Sequence, residues 1–213
     1  MTAYIYLHGF ASGPRSNKAR YLRDRFAEKN INLKVLDLNQ GDFSNLTLTR
    51  QIEQTKSAFA EGNIPVTLIG SSFGALTCAW VAQQSDRVKH LILLAPAFGF
   101  PQSWYSRLEP NQIEQWQESG VLSVYHYGEA KQMPLKYQFL QDADNYPISK
   151  LTKSLPTLII HGINDNVVPI QVSRDYANHH SQVKLIELDS DHGLNDSKTR
   201  IWQEIFKFIT VNS

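Results

Sequence analysis

The chain has 213 residues, a length that suits one domain with an ordinary hydrophobic core. Lysine and arginine number 21 against 20 for aspartate and glutamate, so no strong net field selects nucleic acid or an anionic membrane as a partner. The one cysteine, Cys78, excludes an internal disulfide and a zinc site built on thiolates, and it indicates a reducing compartment.

Short apolar runs alternate with amphipathic segments in the first part of the sequence. The runs have the length and composition of strands, and between them apolar residues recur at helical spacing. In chain order, the predicted elements are a strand at residues 3–7, a helix at 17–29, a strand at 33–38, a helix at 48–59, a strand that begins at 66, a helix at 75–84 and a strand at 90–96. No run approaches membrane-spanning length and no signal-peptide pattern opens the chain, so we expect a cytoplasmic protein without membrane insertion. We expect Cys78 to pack in the hydrophobic core and to take no part in catalysis.

The alternation stops after residue 96 and resumes at residue 155. Between these points the chain has aromatic residues, prolines and a hairpin pattern around Gly128, which we interpret as an insertion at about residues 97–153. The later elements are a strand at 155–162, a helix at 171–179, a strand at 183–188 and a helix at 198–209. Continuous apolar strands between helices favour a parallel sheet covered on both faces, so the sequence predicts an α/β fold in a single domain over residues 1–213.

Residues 70–74 read Gly-Ser-Ser-Phe-Gly and fit the G-x-S-x-G pattern of a nucleophile elbow. The backbone folds back so tightly at such a serine that only glycine fits two places before and two places after it, which explains Gly70 and Gly74. The nucleophile is then Ser72 rather than Ser71, because only Ser72 stands midway between the glycines. A Gly/Ser-rich turn can match the pattern by chance, so this interpretation depends on partner residues.

A nucleophilic serine needs a base and an acid, which follow an elbow serine in the chain order serine, acid, histidine. Two loops that follow strand ends supply them, at the edge where parallel sheets hold their sites. Asp165 lies after the strand at 155–162, and His192 lies after the strand at 183–188. We predict His192 as the general base and Asp165 as the carboxylate that orients its ring.

Other residues compete for these two roles. Asp37 follows the second strand, and Asp189 and Asp191 lie beside His192. We set Asp191 aside because the side chain of a direct sequence neighbour is expected to point away from the imidazole. Four histidines lie instead on helix ends, strand starts or the insertion, and they are His90, His126, His179 and His180.

An oxyanion hole in this arrangement uses two backbone N–H groups. One belongs to the residue after the nucleophile, Phe73, and the other to the loop after the strand that pairs with the elbow strand. His8-Gly9-Phe10 supplies that loop, in which Gly9 permits a close approach and Phe10 carries the predicted donor. Because only main-chain groups are needed, we interpret His8 as structural.

Four features in this order, His8-Gly9, the elbow, Asp165 and His192, resemble the α/β-hydrolase superfamily over essentially the whole chain. More narrowly, residues 7–13 with Lys18 and the elbow resemble small bacterial esterases of the YqiA type. Residues 164–169 and 190–192 resemble compact acyl-protein thioesterases of the abhydrolase class.

The resemblance implies a three-layer α/β-hydrolase sandwich with a minimal six-stranded, all-parallel sheet in the order 2-1-3-4-5-6. Because the sequence starts directly with the strand before the oxyanion loop, we expect the sheet to lack the two antiparallel strands with which the family usually begins. The insertion stands where the family carries a small cap over the serine. Its aromatic residues are expected mostly to pack in a small core, with a few lining an acyl pocket, and they are Trp104, Tyr105, Trp116, Tyr125, Tyr127, Tyr137 and Phe139.

The sequence therefore predicts a serine hydrolase that cleaves a carboxylic ester or thioester with a small to medium acyl group. We expect no metal and no organic cofactor, and a small-molecule substrate as the partner; the oligomeric state is left open. A thioesterase, a peptidase and an acyltransferase are alternatives that share the same covalent intermediate. The alternative of another class is a non-catalytic small-molecule binding protein on the same fold.

Overall fold

The computed structural model describes residues 2–212, and its centre is a sheet of six strands. Numbered in chain order, the strands are β1 (Ala3–Leu7), β2 (Leu33–Leu36), β3 (Val66–Ser71), β4 (Val88–Leu94), β7 (Thr157–Gly162) and β8 (Val183–Leu188). They lie in the order β2-β1-β3-β4-β7-β8, and each neighbouring pair is parallel. The predicted six-stranded parallel sheet and its strand order are confirmed.

Among the described residues, eight α-helices accompany the strands. They are α1 (Asn17–Ala27), α2 (Leu48–Ser57), α3 (Phe73–Gln84), α4 (Gln102–Tyr105), α5 (Pro110–Ser119), α6 (Gln138–Ala143), α7 (Gln171–His179) and α8 (Lys198–Val211). Short 3₁₀ turns occupy Phe43–Asn45 and Ile148–Lys150. Within residues 2–212, we find no helix with the length and apolar character needed to cross a bilayer.

The predicted element boundaries differ from the observed ones by a few residues. Helix α3 begins at Phe73 rather than at residue 75, because the turn at Ser72 passes directly into the helix. Helices α1 and α2 begin where expected, since the hydroxyls of Ser16 and Thr47 accept hydrogen bonds from backbone N–H groups of the first turn. Both helices end two residues earlier than the periodicity indicates, at Ala27 and Ser57.

The two faces of the sheet pack against different helices. In β1, Ile5 and Leu7 point to one face and Tyr6 to the other, as the alternation of strand side chains requires. The first face is covered by α2 and α3, through residues such as Ile52 and Leu76. The second face is covered by α1 and α8, through Leu22, Phe26, Ile201 and Ile205. The molecule is therefore a three-layer α/β sandwich.

The segment between β4 and β7 contains α4, α5, a two-stranded hairpin and α6. Gly128 lies in the turn of the hairpin, as the sequence predicts. Its antiparallel strands are β5 (Val121–His126) and β6 (Lys131–Lys136).

Buried contacts hold this segment together and attach it to the sandwich. The Trp116 ring of α5 is buried, and its Nε1–H donates to the carbonyl oxygen of Leu135 in β6 at 2.9 Å. In α6, the Asp142 carboxylate accepts hydrogen bonds from the backbone N–H and the hydroxyl of Thr49 at 2.9 and 2.5 Å. Because Thr49 belongs to α2, these bonds fix the position of α6 over the first face of the sheet.

Candidate active site

Ser72 lies in the sharp turn between β3 and α3, in a left-handed conformation with φ 55° and ψ −116°. Such a backbone costs a non-glycine residue roughly 1–3 kcal/mol, so surrounding contacts must hold it. A Cβ at Gly70 would lie 2.6 Å from the backbone of Ala75, and a Cβ at Gly74 would lie 2.4 Å from the carbonyl oxygen of His8. The two glycines therefore let α3 start directly against β3 and β1, and this close packing fixes the turn.

Ser72, His192 and Asp165 form one chain of contacts. Nε2 of His192 lies 3.1 Å from the Ser72 hydroxyl oxygen, and Nδ1 of the same ring lies 2.7 Å from Oδ2 of Asp165. Because an ionised carboxylate only accepts hydrogen bonds, Nδ1 carries the ring proton and Nε2 offers its lone pair to the serine O–H. The three residues follow β3, β7 and β8, so the sheet brings them together at one edge.

The carboxylate of Asp165 is enclosed by protein and accepts four hydrogen bonds. Oδ1 accepts from the backbone N–H groups of Val167 and Val168 at 2.8 and 2.7 Å, while Oδ2 accepts from His192 and from His161 at 3.1 Å. Burial acts to raise the pKa of Asp165, but the hydrogen bonds from His161, His192 and Val168 outweigh burial and hold that pKa well below its usual range. Asp165 is therefore ionised at neutral pH.

His161, at the end of β7, is a second histidine on this carboxylate that the sequence reasoning missed. Its ring is fully buried, and Nε2 lies near both Oδ2 of Asp165 and the carbonyl oxygen of Val168, at 3.1 and 2.9 Å. Nε2 must carry the proton, because both of these atoms are acceptors, and Nδ1 lies 2.7 Å from the hydroxyl of Ser173. The sequence did contain a signal that could have identified His161, because this histidine lies near the end of a buried strand, four residues before the predicted acid Asp165.

The other acidic candidates lie outside this chain of contacts. Oδ1 of Asp191 accepts from the next two backbone N–H groups after His192, at 2.8 and 3.1 Å, and so shapes the turn that carries the imidazole. Asp189 is exposed and bonds to a side-chain amide at 2.8 Å, and Asp37 lies 3.8 Å from His8. The other histidines that we weighed make their hydrogen bonds elsewhere, and they are His90, His126, His179 and His180.

Two backbone N–H groups beside Ser72, those of Phe10 and Phe73, have no hydrogen-bond acceptor within residues 2–212. Phe73 is the first residue of α3, where N–H groups lack an intrahelical partner, and Phe10 lies in the loop after β1. The buried ring of His8 holds this loop, since Nδ1 donates to the carbonyl oxygen of Gly9 at 2.9 Å. Nε2 of the same ring accepts a backbone N–H from the segment after β2 at 3.0 Å. This geometry suits two donors to an oxyanion.

A cavity of about 1060 Å³ lies in front of Ser72. One part of its lining is aromatic, and Phe10, Phe73, Phe100, Trp104 and Phe139 contribute to it. Another part is polar and includes Asn17, Lys18, Asp191 and Asn195. In the part of the chain that the structure describes, no group of three or more His, Cys, Asp or Glu side chains is arranged to hold a metal ion.

The predicted aromatic residues of the insertion divide between this cavity and the core. Four of them line the cavity, namely Trp104, Tyr125, Tyr127 and Phe139. Trp116 packs in the core instead, while Tyr105 and Tyr137 lie partly buried against it. Cys78, on α3, is fully buried in the same core, and burial raises the pKa of its thiol.

Comparison with known proteins agrees with the observed architecture. The model of the uncharacterised protein family UPF0227 matches residues 3–210. No curated protein matches the sequence significantly. Among solved structures, alpha/beta hydrolase domain-containing protein 10 from mouse is 21% identical, with a TM-score of 0.81 over 99% of this chain and 90% of that chain.

Two further solved structures are similar over nearly the whole chain. Est1E from Butyrivibrio proteoclasticus, with ferulic acid bound, is 18% identical, with a TM-score of 0.79 over 99% of this chain and 90% of that chain. MGS-MChE2, an α/β-hydrolase enzyme from the metagenome of lagoon sediments at Mar Chica, Morocco, is 18% identical, with a TM-score of 0.72 over 99% of this chain and 91% of that chain. The predicted resemblance to the α/β-hydrolase superfamily is confirmed at the level of the fold.

The elbow glycines can be tested by adding one methyl group. We expect Gly74→Ala to destabilise the protein by about 1–3 kcal/mol, since its Cβ would meet the backbone oxygens of His8 and Leu7, at and just after the end of β1, at 2.4 and 2.5 Å. Urea unfolding of Gly13→Ala supplies the control, because a Cβ there meets nothing within 4 Å. Equal stability of the two variants would contradict the close packing of α3 on β1.

The ionised state of Asp165 predicts how acid affects stability. A lowered carboxylate pKa stabilises the folded protein above the unfolded value of 3.8, and this stabilisation is lost as the pH falls further. We therefore expect Asp165→Asn to cost roughly 1–3 kcal/mol near pH 7 and progressively less below about pH 4. Urea unfolding across this pH range measures the difference, with the exposed Asp189→Asn as control; a difference independent of pH would contradict the lowered pKa.

Proposed function

The chain belongs to the UPF0227 family, and we propose that it is a serine hydrolase that cleaves a carboxylic ester or thioester through an acyl-enzyme intermediate. The observation that carries the proposal is the contact chain from the Ser72 hydroxyl through His192 to Asp165, with distances of 3.1 and 2.7 Å. The α/β-hydrolase fold supports it, because an elbow serine on this fold is followed by its acid and its histidine in the same chain order. Est1E, with ferulic acid bound, supports a small organic ligand for a protein of this shape.

In the acylation step, the Ser72 oxygen attacks the carbonyl carbon while its proton moves to Nε2 of His192. The carbonyl π electrons pass to oxygen, and the resulting oxyanion accepts hydrogen bonds from the N–H groups of Phe10 and Phe73. The imidazolium, stabilised by Asp165, then gives its proton to the leaving oxygen or sulfur as the bond to the acyl carbon breaks. An alcohol or thiol departs, and the acyl group remains as an ester on the serine.

Deacylation repeats this chemistry with water. The neutral His192 ring accepts a proton from a water molecule, whose oxygen attacks the acyl carbon, and the same two N–H groups hold the second oxyanion. Collapse returns the proton to the oxygen of Ser72 and releases the carboxylic acid. Throughout the cycle, the four hydrogen bonds to Asp165 keep that carboxylate ionised and oriented.

The aromatic lining supports a small to medium acyl group. The rings of Phe10 and Phe73 belong to the residues whose N–H groups face the oxyanion, and they lie edge to face with centroids 6.4 Å apart. Phe139 is fully buried and packs against both rings, with its centroid 5.3 Å from each of them. An acyl chain bound at the carbonyl would therefore meet apolar rings rather than water.

Active-site labelling provides the direct test. We expect a fluorophosphonate probe to label Ser72 in the folded protein, since phosphonylation uses the same nucleophile, base and oxyanion donors. Ser72→Ala should abolish labelling, and His192→Ala should slow it strongly. Ser71→Ala, which changes the neighbouring serine, should still react; mass-spectrometric mapping of the adduct to any other residue would overturn the assignment.

Turnover separates the leaving groups that share this intermediate. We expect hydrolysis of 4-nitrophenyl esters or acyl thioesters, and we expect Ser72→Ala to lower kcat by about 10⁴-fold or more. A series of acyl-chain lengths should report the depth of the aromatic pocket, and peptide substrates should react poorly. Saturable binding of the esters with no turnover and no labelling would instead favour a non-catalytic binding protein.

A further inference from the structure

Lys18 carries a desolvated charge that the proposed reaction does not use. Its side chain lies in the first turn of α1 and lines the cavity near His192, and Nζ donates a hydrogen bond to the carbonyl oxygen of Gly193 at 2.7 Å. An ammonium has three N–H donors, and this carbonyl is the only acceptor that it reaches within residues 2–212. Desolvation lowers the pKa of Lys18 to about 8, although the charges of Asp191 and Asp165 act in the opposite direction.

The two nearby carboxylates are engaged with other donors. Asp165 accepts four hydrogen bonds, and Oδ1 of Asp191 accepts the two backbone N–H groups that follow His192. Neither carboxylate forms an ion pair with Lys18 in the described part of the chain. A desolvated ammonium without a contacting anion is unfavourable unless a ligand supplies the negative charge.

The charged groups of the cavity lining favour an anion overall. Besides Lys18, the lining contains one other basic side chain, Arg107, and one carboxylate, Asp191. The guanidinium of Arg107 donates to the carbonyl oxygens of Asn166 and Val167, so it adds positive charge without being neutralised by an acid. The free donors of Lys18 are therefore the best placed partners for a negatively charged group in the cavity.

The position of Lys18 relates this site to one part of the substrate. His192 gives its proton to the leaving oxygen or sulfur, so the leaving group must lie against the imidazole during acylation. The carbonyl that Lys18 binds belongs to Gly193, the next residue in the chain. The rings of Phe10 and Phe73 belong to the residues that carry the oxyanion donors, so we assign the acyl group to that apolar side of the cavity.

We propose that Lys18 is a specificity-determining residue that binds an anionic group, a carboxylate or a phosphate, on the alcohol or thiol part of the substrate. The inference rests on the proposed hydrolase function, because the acylation step defines which part of the substrate leaves. The ammonium forms charge-assisted hydrogen bonds to the anion while its bond to Gly193 keeps it beside His192. The enzyme would then prefer esters or thioesters of acidic alcohols or thiols over neutral ones.

This preference depends on the protonation of Lys18. It is present below about pH 8, where the ammonium is charged, and it is lost above that pH. The groups that face the ammonium are the carboxylates of Asp191 and Asp165. The ring of His192 lies next to them, since His192 directly precedes Gly193, whose carbonyl oxygen accepts from Lys18. The lowered pKa of Asp165 keeps that carboxylate ionised through this range, so the loss of charge at Lys18 governs the change.

Matched esters test the proposal. 4-(Butanoyloxy)benzoate and 4-(butanoyloxy)benzamide have the same acyl group and shape, and only the first has an anionic leaving group. A phenyl ester with a phosphate in place of the carboxylate, compared with the same benzamide, forms a second pair. We expect the kcat/KM ratio of anionic to neutral ester to fall by about tenfold to a hundredfold in Lys18→Met, as loss of a hydrogen bond to a charged group implies. The same ratio in the wild type should fall as the pH rises above 8.

Two further variants separate charge from local structure. Lys18→Gln has a side-chain amide that can donate to the Gly193 carbonyl but has no charge, so the ratio of kcat/KM for the anionic ester to that for the neutral ester should fall as it does in Lys18→Met. Lys34, on β2, has an exposed ammonium that donates to the carbonyl oxygen of Ala58 at 2.8 Å. Lys34→Met removes this ammonium and should leave the ratio unchanged. A ratio that is the same in the wild type and in both Lys18 variants would overturn the proposal.

The remaining outcomes are also decisive. If the preference that depends on Lys18 appears for a carboxylate on the acyl part, as in 4-nitrophenyl hemisuccinate, and not on the leaving group, the assigned position is wrong. Binding of 4-hydroxybenzoate to Ser72→Ala, measured by calorimetry with and without Lys18→Met, needs no turnover, and equal affinities would overturn anion binding itself. Failure of the proposed hydrolase function would appear separately, as absence of labelling and of neutral-ester turnover.

Discussion

The close approach of α3 to the ends of β1 and β3 is the constraint on which the rest of the site depends. It is possible only because residues 70 and 74 have no Cβ, and it holds Ser72 at a positive φ. The same contact sets Phe73, at the start of α3, against the loop that carries Phe10, so one packing arrangement positions the serine oxygen and both free N–H groups. Strain at one residue is thus maintained by the packing of a helix whose residues 73–82 are all buried.

The acid end of the site depends on a buried polar network rather than on apolar packing. Two histidines and two backbone N–H groups saturate the carboxylate of Asp165, and the ring of His161 is in turn fixed by Ser173. A carboxylate with every acceptor position filled has one orientation, so the ring of His192 has one too. His161 is therefore a positioning residue that acts through the hydrogen bond of its ring to Asp165.

The insertion and α1 divide the cavity into two chemically different parts. Rings from the oxyanion loop, α3 and the insertion supply an apolar surface, while the start of α1 and the loop after β8 supply Lys18 and its polar neighbours. These parts come from segments that are distant in the chain, and the hydrogen bond of Lys18 to Gly193 joins the two that form the polar side. Under the proposed function, substrate preference can thus change with these segments while the contacts among Ser72, His192 and Asp165 stay as the sheet sets them.

The sequence by itself determined the α/β fold class, the six parallel strands and the glycine-flanked turn at Ser72. The reason is that the hydrophobic periodicity, the spacing of the glycines and the ends of the strands are local properties of the sequence. It also predicted that Asp165 and His192, which follow two neighbouring parallel strands, lie at one edge of the sheet, because parallel strands gather their C-terminal loops there. Only the tertiary structure decided that His161 shares the carboxylate of Asp165 and that Lys18 reaches the loop of His192. Both depend on side-chain hydrogen bonds between segments whose distance and orientation no local pattern encodes.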